Sequence, residues 1–181
     1  MKYFTQEMWW GLDPRKPAQF KKVAKKWDCN QAAYLKQLAV VAKALSKRNA
    51  LFFTRQFTRM TLHDADFENI CIKEIRPSKS SSSTIRSVEL TVTSEGHRYR
   101  LRYADVSNIA IKTANPPCYP SGIPMDVYFG DWGYDELTVH RNGTFQHSIL
   151  FSCFTELSIS FRKFSYSKEK ESNKRLQSTS H

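Results

Sequence analysis

His63 and Asp64 are adjacent and Asp66 lies two residues on, so an imidazole and two carboxylates fall within four positions. These are the side-chain types that hold a divalent metal and activate a bound water for hydrolysis. Hydrolases built on a His-Asp doublet place it inside a helical domain that supplies further His and Asp ligands. Here the doublet precedes a β-rich run, and residues 1–62 contain no histidine. Structural roles are the expectation, with Asp64 capping a turn and His63 hydrogen-bonding at a helix-to-sheet junction.

A second group, Asp126, Asp131, Asp135 and Glu136, surrounds Trp132 and Tyr134. Four carboxylates within eleven residues suit Mg²⁺ or Ca²⁺, but they lack the D-x-[DN]-x-[DN]-G spacing of a calcium loop. They read as a solvated turn, able to pair with a basic helix of this chain or another copy. His140 and His147 flank Asn142-Gly143, and without a third ligand they read as exposed strand residues. Cys29, Cys71, Cys118 and Cys153 are isolated, with no C-x-x-C pair and no histidine nearby in sequence, and each is expected to be a small buried apolar residue. There is no G-x-S-x-G elbow, G-x-G-x-x-G turn or phosphate-binding G-x-x-x-x-G-K-[ST] loop. No catalytic residue and no cofactor is therefore assigned.

Charge gives the clearest binding candidate. Residues 1–60 hold 13 Lys and Arg against 3 acids, a net +10; residues 61–161 carry −3 and residues 162–181 carry +4. Lys21, Lys22, Lys25 and Lys26 form one face of a helix, with Arg15, Lys16, Arg55 and Arg59 as candidate extensions. Such a face attracts phosphate in a salt-sensitive, largely sequence-independent way.

The elements that would carry these residues follow from periodicity. The 181 residues, 40% hydrophobic and 13% aromatic, suit a single globular core. Asp13-Pro14 reads as the start of a helix whose inner side is Phe20, Val23, Ala24 and Trp27. Asn30 reads as the cap of a second helix with Tyr34, Leu38, Val41 and Leu45 buried, closed by Lys47-Arg48-Asn49. Leu51, Phe52, Phe53, Phe57 and Met60 suggest a third. From Phe67 the period changes to 2, with Ile70, Ile72 and Ile75 and then Ile85, Val88, Leu90 and Val92 in strands, joined by a serine-rich loop, Pro77 to Ser83. Glu95-Gly96-His97 reads as a turn, after which Tyr99, Leu101 and Tyr103 alternate with Arg98, Arg100 and Arg102. Ile109 and Ile111 mark another strand before an irregular loop, Ala114 to Met125. Glu136–His140, Phe145–Phe151 and Leu157–Phe164 follow, with Asn142-Gly143 predicted to form a type I′ hairpin turn. The expected architecture is α+β: N-terminal helices packed on a C-terminal antiparallel β-meander or partly closed barrel. Residues 1–164 make one domain, helical over 1–62 and β-rich over 66–164, and residues 165–181 are expected to be a disordered basic tail.

Met1-Lys2-Tyr3-Phe4-Thr5, Leu62-His63-Asp64-Ala65, Trp132-Gly133-Tyr134-Asp135-Glu136-Leu137 and His147-Ser148-Ile149-Leu150-Phe151-Ser152 resemble the corresponding stretches of a bacterial family known as domain of unknown function 4085. The resemblance implies a cytoplasmic bacterial protein without an assigned activity and transfers no catalytic residue. The absence of an apolar leader or membrane-length segment gives the same expectation of a cytoplasmic protein with reduced thiols and no membrane partner. The first functional reading is thus a non-enzymatic interaction module with a protein partner. The second is nucleic-acid attachment through the basic helical face, and the third a metal-dependent hydrolase using His63, Asp64 and Asp66.

Overall fold

Apolar residues spaced by three and four produce helices up to Arg59, and alternation produces strands from Asp66 onward, in a computed structural model that describes residues 1–12, 15, 17–75, 85–113 and 129–170. The helices are α1 (Gln6–Gly11), α2 (Pro17–Ala42) and α3 (Lys47–Arg59). The strands are β1 (Asp66–Ile75), β2 (Ile85–Ser94), β3 (His97–Ala104), β4 (Asn108–Lys112), β5 (Trp132–Val139), β6 (Phe145–Phe151), β7 (Glu156–Phe161) and β8 (Lys163–Lys170). They form two antiparallel four-stranded sheets, β1-β2-β3-β8 and β4-β7-β6-β5. The α+β expectation holds, and the strands are divided between two sheets that do not close into a barrel.

The helical part differs from expectation in three ways. First, α2 is one 26-residue helix, about 39 Å long, where two were expected. Asn30 does not cap: its amide donates to the Tyr3 carbonyl at 2.7 Å and contacts the Met8 sulfur at 3.2 Å, so its polar group is satisfied without interrupting the helix. Second, Lys47, Arg48 and Asn49 open α3 instead of closing the previous helix, because Ser46 caps it, its Oγ accepting from the Asn49 N–H at 3.4 Å. Third, the inward stripe fades toward the start of α2. Tyr34, Leu38 and Val41 are buried and Trp27 packs on Phe4 and Tyr134, but Phe20 is 37% exposed. It lies about 10 Å before Trp27 along the axis, beyond the reach of those rings. The proposed start at Asp13-Pro14, the loops at Pro77 to Ser83 and Ala114 to Met125, and Lys16, Cys118 and Asp126 fall outside the described residues.

The hairpin at Asn142-Gly143 is present but its turn is not type I′. Only Gly143 has positive φ (76°); its N–H donates to the His140 carbonyl at 3.0 Å, and Asn142 Oδ1 accepts from the Thr144 N–H at 3.0 Å. The tight turn with two positive φ values joins β2 to β3 instead, at Glu95 (49°) and Gly96 (70°). β5 begins at Trp132, four residues before the expected Glu136, and carries a bulge between Trp132 and Tyr134. Glycine is needed there: a Cβ on Gly133 would meet the Trp9 ring and stand 2.7 Å from the Leu150 carbonyl oxygen.

The expected disordered tail starts too early. Residues 165–170 continue β8, paired with β3 from Ala104↔Lys163 to His97↔Lys170. Its apolar content is low because it is an edge strand, where Phe164 and Tyr166 pack on Phe52. Its open backbone is covered by α3: the Asn49 amide donates to the Phe164 carbonyl at 2.7 Å and Arg48 to the Tyr166 carbonyl at 3.0 Å. At the far sheet, Tyr34 of α2 accepts the Leu137 N–H of edge strand β5 at 2.7 Å.

The core lies where the inner faces of the two sheets meet α3. Tyr103 packs on Phe161 and Phe164, Trp132 on Phe151, and Phe53 of α3 on Phe164 and His147. Glu136 points the opposite way from Asp135 on β5 and is 2% exposed. It accepts the backbone N–H groups of Lys2 (2.8 Å), Tyr3 (2.6 Å) and Phe4 (2.7 Å), while Glu156 receives the Met1 amino group at 2.8 Å. Replacing Glu136 by Ala leaves three N–H groups without an acceptor, each costing about 1–3 kcal/mol when buried. Urea unfolding should show Glu136→Ala destabilised by about 3 kcal/mol or more; a change below about 0.5 kcal/mol, the size of a surface substitution, would contradict this role.

Candidate functional site

Four side chains from four elements converge between the sheets. His147 of β6 is an inward residue of the series Phe145, His147, Ile149, Phe151, and Tyr103 of β3 faces it from the other sheet. The Tyr103 hydroxyl lies 2.7 Å from His147 Nδ1, and His147 Nε2 lies 3.0 Å from Asp135 Oδ2. Asp135 Oδ1 accepts from Gln56 Nε2 of α3 at 2.9 Å and from Trp132 Nε1 at 3.2 Å. Gln56 Oε1 in turn accepts the Leu62 N–H at 2.8 Å, which fixes the turn leading out of α3. Burial pushes the Asp135 carboxyl upward, but the hydrogen bond and charge of His147, aided by Gln56 and Trp132, outweigh it and hold the group below its ordinary range. Burial, reinforced by the nearby Asp135 charge, raises the Tyr103 phenol well above its ordinary value. With a carboxylate at Asp135, His147 Nε2 carries a proton and donates to it.

The order carboxylate, imidazole, hydroxyl is that of a proton relay, but its side chains are enclosed: His147 is 1% and Asp135 8% exposed, and Tyr103 is fully buried. Of the four acids expected in a solvated turn, Asp135 and Glu136 are buried strand residues, Asp131 stands apart from them just before β5, and Asp126 lies outside the described residues. His147 is buried, contrary to the expectation of an exposed strand residue, whereas His140 is exposed as expected and meets Gln146 at 3.3 Å, so the two histidines form no joint site. The inward place of His147 follows the alternation Phe145, His147, Ile149, Phe151; its bond to Tyr103 and that of Asp135 to Gln56 were not readable, because they join residues 44 and 79 positions apart.

His63 and Asp64 pair with each other, Nδ1 to Oδ2 at 2.9 Å. Asp64 has φ 59° and its N–H donates to the Trp132 carbonyl at 2.8 Å, while the His63 ring rests edge-on against Tyr134. They form the junction between α3 and β1, and Asp66 begins β1 opposite Thr93. Among the described residues no three His, Cys, Asp or Glu side chains are grouped as a metal centre requires. Cys153 is buried, but Cys29 and Cys71 are exposed, contrary to the expectation of buried thiols.

The positive charge is distributed unequally in its pairing. Arg86, Arg98, Arg100 and Arg102 of the β1-β2-β3-β8 sheet each meet a carboxylate, Glu74, Glu68, Glu169 and Glu89 respectively. Lys21, Lys22, Lys25 and Lys26 of α2 are exposed and have no ion-pair partner among the described residues. Arg55 and Arg59 are also exposed, but they do not extend the lysine face. Phe57 is the α3 residue that meets Tyr34 of α2, with centroids 4.7 Å apart, and Arg55 and Arg59 each lie about 160° around α3 from it. They line a cleft of about 400 Å³ between α3 and the ends of β3 and β8, with Tyr99, Tyr166 and Lys168.

Because its folded-state pKa is depressed, Asp135 contributes stability that is fully present above the ordinary aspartate value of about 4 and lost as pH falls through the lower folded value. The stability difference between wild type and Asp135→Asn should shrink as pH falls below about 4. Asp135→Ala should cost about 3 kcal/mol or more, since Gln56, Trp132 and His147 each lose a buried acceptor. Urea unfolding across pH measures both, and a difference that widens as pH falls below about 4 would refute the assignment.

Neither a scan of protein-family models nor a search of curated proteins finds a match to this chain. The resemblance drawn from the sequence thus rests on its short motifs alone.

Proposed function

We propose that this chain is a non-catalytic binding protein that attaches to the phosphate backbone of nucleic acid through the lysine face of α2. The observation that carries the reading is the contrast in pairing: the described sheet arginines just named are matched by carboxylates, whereas Lys21, Lys22, Lys25 and Lys26 are exposed with no ion-pair partner among the described residues, Lys26 alone lying near enough to Glu7 to lower its pKa. Unpaired ammonium groups gain by releasing counterions from a polyanion, whereas guanidiniums already paired have less to gain. Catalysis receives no such support, because the side chains arranged as a relay are enclosed and their polar atoms already hydrogen-bonded. A protein partner is favoured by a different observation. On the C-terminal half of α2, Leu35 and Val40 are 39% and 56% exposed, apolar area that a partner could cover. No described helix is long and apolar enough to cross a membrane.

Titration of duplex DNA at several salt concentrations tests the first reading. Substituting Gln at all four lysines should weaken binding and flatten the dependence of log affinity on log salt by about 3–4, at roughly 0.9 for each phosphate that is no longer neutralised. Equal affinity of the variant and wild type at low salt would reject it. Capture of a protein that persists after nuclease treatment and is lost in Val40→Glu would favour the second reading.

A further inference from the structure

We infer that the cleft between α3 and the ends of β3 and β8 binds a phosphoryl dianion, at a site separate from the lysine face of α2. Arg55 and Arg59 enter it from successive turns of α3, about 6 Å apart along the axis, and Lys168 enters from β8. Glu95 is the one carboxylate among its described lining residues, and neither arginine has an ion-pair partner among the described residues. Two guanidiniums and an ammonium exceed what a monocarboxylate can use but match a phosphate, whose oxygens accept bidentate Arg pairs and a point charge together. A volume of about 400 Å³ lies in the range of small-molecule sites.

Two features favour the phosphate over an aromatic group as the recognised part. The floor is aromatic, but its ring faces are taken: Phe52 packs on Tyr166 at 4.3 Å, Arg48 lies 4.8 Å over Tyr166, and Lys168 Nζ lies 5.2 Å over Tyr99. That floor lowers the local dielectric and strengthens charge attraction without offering a stacking surface. The arginines are also held in place from behind. Gln56 sits between them in sequence and is fixed by Asp135 and the Leu62 N–H, so the turn of α3 that presents them is set before a ligand arrives.

The phosphoryl group can come from a small phosphorylated metabolite or from the 5′ end of a nucleic acid, and the experiment separates the two. Pyrophosphate is titrated into the full chain by calorimetry, alongside Arg55→Gln/Arg59→Gln, Lys168→Gln and the four-lysine α2 variant. Wild type and the α2 variant should bind saturably and alike, and the double arginine variant should lose at least about tenfold in affinity, with Lys168→Gln weakened in the same direction. In the α2-variant background, tighter binding of a 5′-phosphorylated oligonucleotide than of its unphosphorylated form would assign the nucleic-acid source; equal binding of the two, with pyrophosphate binding retained, would assign the small molecule. The inference is overturned if wild type shows no saturable binding up to about 10 mM pyrophosphate, or if the folded double variant binds as wild type does. Loss of pyrophosphate binding in the α2 variant would overturn the separateness of the two sites. Failure of duplex binding alone would leave this site standing and reject only the α2 reading.

Discussion

Two consecutive carboxylates on β5 join the helices to the sheets. Asp135 faces inward and binds α3 through Gln56 and β6 through His147, and His147 extends the hydrogen-bonded chain to Tyr103 in the other sheet. Glu136 faces the other side and gathers the backbone of residues 2–4, which lie against α2 through Asn30 and Tyr34. Hydrogen bonds to charged groups are the stronger kind, and in a low-dielectric interior a missing partner costs more than the bond itself contributes. Among the described residues no buried side-chain nitrogen or oxygen lacks a hydrogen-bond partner. The polar interior therefore specifies the arrangement of helix and sheet, while the apolar packing around it supplies most of the burial.

That constraint also explains where charge can remain unpaired. The sheet arginines lie on neighbouring antiparallel strands, where directly opposed residues bring Glu89 to Arg102 across one ladder and diagonal neighbours bring Glu169 to Arg100 across another. Among the described residues the lysines of α2 have no ion-pair partner, and Glu7 is the carboxylate that feels one of them, Lys26. The inner side of the helix is occupied by Trp27, Tyr34, Leu38 and Val41, and Asp28 is the one acid in its 26 residues. Pairing of the sheet arginines and exposure of the α2 lysines follow from the geometry of each element.

The order of helices before strands, the inward alternation of Tyr99, Leu101 and Tyr103, and the limits of β6 were legible because they depend on local periodicity. The division of the strands into two sheets was not, since β8 joins β3 across more than sixty residues of sequence. Short-range rules fail where a distant partner intervenes. Asn30 fits a cap pattern until Tyr3 and Met8 claim its amide, and residues 165–170 look like a solvated tail until β3 and α3 supply hydrogen bonds. Asp135 and Glu136 look like surface acids for the same reason. A carboxylate is expected in water unless its donors are visible, and these donors come from residues 2–4, Gln56 and His147.

The enclosed relay and the open arginine cleft share one turn of α3, on which Gln56 is a member of both. Gln56 lies on α3 between Arg55 and Arg59 with its amide turned into the core, so the bonds that satisfy Asp135 also determine the angle at which α3 crosses the end of β8. A residue chosen for packing alone, such as Leu at position 56, would bury more apolar surface but take one of three donors from Asp135 and leave the Leu62 N–H without its acceptor. A buried amide in the middle of an otherwise apolar helix face makes sense when orientation matters more than maximal burial, as it does where the same turn presents two guanidiniums to a ligand.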